Sequence, residues 1–152
     1  MKLDFEPLFH FFEHLPKSGD EEMSVLKSHL LVEELLNKLI EQGVKHPKYL
    51  KTARLSFTQK ISLSRSLSPH FLAEQTWIWG AIKKLNAIRN KLAHGLSSDK
   101  ATALLNDYIS FVKKHNENFS KIPVTKKFGR VHIANFFVFT YLSGFVNADY
   151  IN

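Results

Sequence analysis

The chain has no cysteine among its 152 residues. That excludes disulfide bonds and thiolate metal ligation, and it argues against a secreted, stapled scaffold. A bilayer-length apolar run is also missing. The most apolar segment, "VHIANFFVFTYLSGFV" at residues 131–146, carries His132, Asn135 and Gly144 and is shorter than the roughly 20 apolar residues a spanning helix needs. The opening "MKLDFEPLFHFFEHLP" interleaves acids with apolar residues and has no small-residue cleavage site, unlike a secretory signal. A cytoplasmic protein with no membrane partner is expected. Strand-period segments, internal repeats, low-complexity tracts and metal-ligand spacings are absent as well, so no cofactor or metal is expected.

Acids are scarce in one region. Between Gln42 and Ser98 a single acid, Glu74, stands against ten Lys or Arg. The remaining residues hold eleven basic and thirteen acidic side chains, so all of the excess behind the +7 formal charge lies in this stretch. A localised basic excess attracts polyanions, nucleic acid foremost. The bland alternative is a solvated, lysine-rich face.

What is present reads as helices. Residues 3–15 predict a short amphipathic helix ahead of Pro16, and "KSGDEE" supplies a turn and acids suited to a helix N-terminus. "MSVLKSHLLVEELLNKLIEQG" repeats apolar residues at three- and four-residue spacing as far as Gly43. A basic connector, "VKHPKYLKTAR", leads to a shorter helix in "SFTQKISLSRSL", broken at Ser68-Pro69. From about Phe71 to His94 one helix is predicted, with Ile78, Ile82, Leu85, Ile88 and Leu92 on one face and Gly95 placed for the left-handed position after its end. Ser97 or Ser98 is placed to cap the next helix, through "ATALLNDYISFVKKH". The link "KIPVTKKFGR" precedes a final apolar helix at about 130–148. The fold expected is a single all-α domain over residues 1–152, a bundle of about four main helices plus short terminal ones.

The stretch "LNAIRNKLAHGLS" crowds polar groups onto a helix that otherwise wants burial. At about 100° per residue from Leu85, Arg89 falls at about 40°, within the apolar stripe, while Asn86, Asn90 and His94 fall at about 100°, 140° and 180°. A buried guanidinium needs a partner, so Arg89 is expected to pair with Glu33 or Glu34, or to be covered by a second copy of the chain. Arg89 and His94 point about 140° apart, which suits convergence between two chains better than pairing within one.

"LNAIRNKLAHG" resembles the signature of HEPN domains, all-α proteins that carry an Arg, four to six residues, then a His, with a polar residue directly after the Arg. Arg89, Asn90 and His94 match with a four-residue gap. The resemblance spans roughly residues 20–115 and includes the order of helices. "RSLSPH", Arg65 to His70, has the same bare spacing, but it holds Pro69, lacks the Asn and lies at a helix break.

The resemblance implies a metal-independent endoribonuclease that works as a homodimer with the motif at the interface, acting as a toxin or in defence against phage or stress. His94 would transfer protons while the RNA 2′-hydroxyl attacks the neighbouring phosphate. Arg89 would stabilise the phosphoryl charge, and Asn90 would hold the phosphate. Asn86, Lys83, Lys84 and Lys91 are the candidate substrate-binding residues beside them. An antitoxin or inhibitor protein is a further partner that the resemblance leaves open. In some toxins of the family, a Tyr two residues after the His is modified by a nucleotidyltransferase partner; here Gly95 and Leu96 follow His94, so that control is not implied.

Two other readings use the same residues: a catalytically silent module that binds RNA or nucleotide, and a homodimeric regulatory or interaction protein. Trp77 and Trp79 could stack bases, but beside Ile78 they read as core. Phe136, Phe137 and Phe139 read as core or dimer contact. His10, His14, His29, His46, His70, His115 and His132 show no ligand spacing and read as incidental.

Overall fold

A computed structural model of the chain describes residues 20–95 and 98–146, together with Phe11 and Glu13. Among the described residues there are six α-helices and no strand: α1 (Glu21–Gly43), α2 (Phe57–Leu67), α3 (His70–Ala73), α4 (Thr76–Ala93), α5 (Ser98–Lys114) and α6 (Arg130–Val146). Two 3-10 turns, Pro47–Leu50 and Phe119–Lys121, lie in the connections. The expected all-α bundle is what forms. The N-terminal helix expected at 3–15 lies outside the described residues except at Phe11 and Glu13, and so does the capping role weighed for Ser97.

α1 is the central element. It packs on α2, α4 and α6, and α5 closes the bundle against α4 and α6. Its start follows from local chemistry: the Asp20 side chain accepts a hydrogen bond from the Met23 N–H, and Glu21 and Glu22 lie in the first turn, where negative charge is favoured. Its apolar repeat buries Val25, Leu31, Val32, Leu35, Leu36, Leu39 and Ile40. Each such aliphatic side chain contributes about 1.5–3 kcal/mol by leaving water. α1 ends at Gly43, where a Cβ would lie 2.6 Å from the Leu67 Cβ of α2. Glycine there permits the close approach of the two helices.

α2 opens with a capping box. The Ser56 side chain accepts from the Gln59 N–H, and the Gln59 side chain accepts from the Ser56 N–H. α2 stops at Ser68-Pro69, as expected. The single helix predicted from Phe71 to His94 is two pieces. Glu74 keeps right-handed backbone angles as the cap of α3, and Gln75, with ψ 78°, leaves helical geometry before α4. The Leu72 carbonyl accepts the Trp79 indole N–H at 2.9 Å and the Gln75 N–H at 3.0 Å, which stabilises this bend. α4 then buries Ile78, Ile82, Leu85 and Ile88 of the expected stripe, with Leu92 half-buried; Trp79 and Ala81 are buried as well, so Trp79 is core. Trp77 is half-buried against Tyr141. Gly95 has φ +62°, the left-handed geometry expected after the helix end.

α6 is apolar almost all round, and no helix among the described residues is long and apolar enough to cross a membrane. Phe139 is buried against Phe11, with ring centroids 4.9 Å apart, and Phe137 stacks on Phe119. One polar cluster interrupts the apolar packing. The Tyr108 hydroxyl of α5 donates to Asn135 Oδ1 of α6 at 2.8 Å, and Asn135 Nδ2 donates to Ser24 Oγ of α1 at 3.2 Å. Burial pushes the Tyr108 phenol well above its ordinary pKa, so this hydroxyl stays protonated.

Candidate active site

The outer flank of α4 meets two other elements: the middle of α1 and the N-terminus of α2. Between them lies an open cleft of about 300 Å³, walled by His29 and Glu33 of α1, Ser56, Phe57 and Thr58 at the start of α2, and Asn86, Arg89 and Asn90 of α4. Three of the residues singled out in the sequence therefore share one wall.

Arg89 is not buried. It is exposed at the edge of the apolar stripe, and its Nη1 donates a 3.4 Å hydrogen bond to Asn90 Oδ1. The expected pairing with Glu33 or Glu34 does not form. Glu33 instead accepts from Lys60 Nζ at 2.7 Å. The physical reason is the position at about 40° from Leu85: a long side chain at the rim of a stripe can keep its stem on the apolar surface and swing its charge into water. Among the described residues Arg89 has no ion-pair partner, so its charge remains available to an anion entering the cleft.

The histidine next to Arg89 is His29, which the sequence marked as incidental. His29 is 5% exposed, its Nε2 lies 3.0 Å from Asn86 Oδ1, and its ring stacks on Phe57 at 3.9 Å. With the amide so oriented, Nε2 carries the proton. Burial lowers the His29 pKa from its ordinary 6.5; the bond to Asn86 and the charge of Glu33 oppose that shift, while the Arg89 charge reinforces it. His29 is thus a neutral imidazole that fixes Asn86 in the cleft wall. The sequence offered one signal for this. His29 lies one turn before Glu33 on α1, and Glu33 had already been placed opposite Arg89, so His29 shares that face.

His94 does not wall the cleft. It is the exposed C-cap of α4, with its backbone N–H donating to the Asn90 and Lys91 carbonyls, both at 3.2 Å. Its side chain follows Asn90 by one turn, so Lys83, Asn86, Asn90 and His94 form a continuous polar ridge along the outer flank of α4. Lys84 and Lys91 lie on the opposite flank, at about −100° and −120° from Leu85. Lys84 is engaged there by Asp107 of α5 and sits over the Phe111 ring. Of the three candidate substrate lysines, Lys83 alone belongs to the ridge.

The second Arg-His spacing has a structural explanation. Arg65 Nε donates to the Ala73 carbonyl at 2.8 Å, which ties α2 to the end of α3. Among the described residues no group of His, Asp or Glu could hold a metal ion. What the cleft and ridge offer is a cation, two amides and an exposed imidazole: donors for a phosphate and a group able to accept and return a proton.

Comparison with known proteins finds no family model, no curated sequence and no solved structure that matches this chain.

Proposed function

We propose that the protein is a metal-independent endoribonuclease of HEPN type, with its site built on the outer flank of α4 in a homodimer. The observation that carries this reading is the state of Arg89. In a purely structural role its guanidinium would be engaged by the α1 carboxylates; instead it is solvent-exposed beside Asn86 and Asn90 in a cleft, in the acid-poor part of the chain.

The chemistry follows from these groups. A phosphodiester bound against Arg89 and Asn90 has its non-bridging oxygens neutralised. His94 accepts the proton of the RNA 2′-hydroxyl as that oxygen bonds to phosphorus. The bond to the 5′-oxygen breaks, and that oxygen leaves with a proton donated by the conjugate acid of an imidazole. The products are a 2′,3′-cyclic phosphate and a 5′-hydroxyl end. Because Arg89 and His94 diverge by about 140° on α4, the His94 acting at one phosphate belongs to the other protomer.

A second reading rests on the location of His94 beyond the cleft. Within one chain, Arg89, Asn86 and Asn90 bind phosphate while the only cleft histidine, His29, is locked onto Asn86; that is a binding module without catalysis. Purified protein assayed on total and transfer RNA in EDTA separates the two. Cleavage lost in identically prepared His94→Ala and Arg89→Ala supports the nuclease; salt-dependent RNA binding without products supports the module. Equal cleavage by wild type and His94→Ala would refute the assignment of the site.

A further inference from the structure

The basic connector between α1 and α2 walls a second and larger cavity, of about 500 Å³, against the C-terminal half of α1. Lys48, Lys51 and Lys60 line it, with Asn37 and a single acid, Glu41. Lys60 is already held by Glu33. Lys48 and Lys51 are exposed and, among the described residues, have no ion-pair partner. Between them stands Tyr49, 70% exposed, with Lys48 Nζ 4.9 Å from its ring centroid and the His46 ring against its edge. An aromatic ring left in water beside cations is what base stacking uses.

This cavity adjoins the Arg89 cleft. Ala53 and Leu55 line the first and Ser56, Phe57 and Thr58 the second, so one short run of chain walls both. The Lys60–Glu33 ion pair stands at their boundary, Lys60 lining one and Glu33 the other. From Lys51 to Ser56 the backbone reaches at most about 17 Å even fully extended, so a strand lying across Arg89 needs only a few nucleotides to arrive at Lys51.

We infer that the cavity walled by Lys48 and Lys51, with the exposed Tyr49 ring beside it, is a binding groove for single-stranded RNA, taking the backbone phosphates and one base of the strand that flanks the phosphate held at Arg89. The inference rests on the ribonuclease reading and extends it with a site on α1 and the connector. Lys48 and Lys51 contact consecutive phosphates, and Tyr49 stacks a base. Glu41 on the α1 wall restricts the strand to the connector side.

The test uses the full chain and a fluorescent oligoribonucleotide in which every 2′-hydroxyl is methylated, so that it binds without being cut. Anisotropy is read across a salt series for wild type, Lys48→Ala/Lys51→Ala, Tyr49→Ala and a charge-matched Lys113→Ala/Lys114→Ala at the end of α5. All four substituted lysines are exposed, and circular dichroism checks that each variant folds. Removing two phosphate contacts lowers the slope of log affinity against log salt by about 1.4 and weakens binding about tenfold at moderate salt. Tyr49→Ala weakens binding with the slope unchanged, and the α5 pair leaves both near wild type. Cleavage of unmodified RNA by wild type is measured in parallel. If wild type cuts RNA while the Lys48/Lys51 variant keeps its affinity and slope, the groove is refuted and the nuclease stands. If wild type neither cuts nor binds, the functional reading falls and the groove with it. Loss of dimer in the Lys48/Lys51 variant with RNA affinity intact overturns the groove by assigning this surface to a second copy.

Discussion

Single residues in the cleft separate binding from stability. Arg89→Ala removes an exposed side chain with one long hydrogen bond, so thermal unfolding should move by less than about 0.5 kcal/mol while RNA binding and cleavage collapse; a large fall in melting temperature would return Arg89 to a structural role. His29 gives a pH signature. Its folded pKa lies below the 6.5 of a free imidazole, so the unfolded chain binds the extra proton, and stability falls as pH drops below about 6.5 until the folded pKa is passed. Buried His132 is shifted in the same direction, chiefly by its own desolvation, so denaturation midpoints measured from pH 7.5 to 5 should fall in wild type. The fall should shrink in His29→Gln, and an undiminished slope would show that His29 is not held neutral. The His29–Asn86 contact joins residues 57 apart in sequence, and only the helical face that His29 shares with Glu33 points toward it. Arg89 was misplaced by burial logic because its angle puts it on the rim of the stripe, where the length of the side chain decides its environment.

Elements were more legible than side-chain environments. The 3.6-residue repeats set α1, α2 and the buried stripe of α4, and Gly95 marked the end of α4, because those signals lie within a few neighbouring residues. The break at Glu74 and Gln75 was not legible. It depends on the Trp79 indole reaching the Leu72 carbonyl, a contact that exists only once α4 docks. The crossing of α1 and α2 supplies a test. Gly43→Ala places a methyl 2.6 Å from the Leu67 Cβ, an atom bonded to the backbone that no side-chain rotation moves, and should cost about 1–3 kcal/mol in urea unfolding. Because α2 also carries Ser56 and Phe57 into the cleft, the same variant should weaken RNA binding. Unchanged stability would mean that the helices can separate freely there.

Across the whole molecule the proposed site is shared between protomers, and complementation reads this directly. Arg89→Ala and His94→Ala, each inactive alone, are mixed and allowed to exchange. Half of the dimers are then mixed, and in each of those one of the two sites has both an intact Arg89 and an intact His94. About a quarter of wild-type cleavage should return in a two-fold dimer. No recovery, with exchange verified by labelled subunits, would place the site within a single chain. The charge asymmetry seen in the sequence belongs to this scale as well: the acid-poor stretch supplies the connector, α2 and α4, which face the α1 wall across the two cavities.

The buried contact among Tyr108, Asn135 and Ser24 has a consequence for how α6 finds its place. A helix apolar on nearly every side can rotate or slide by a turn and still bury most of its surface, so greasiness alone leaves its register undetermined. Any such slip would strand a phenol, an amide and a hydroxyl without partners, at about 1–3 kcal/mol for each group left unsatisfied. The three polar side chains therefore act as an index pin, selecting one seating of α6 from several of similar hydrophobic merit.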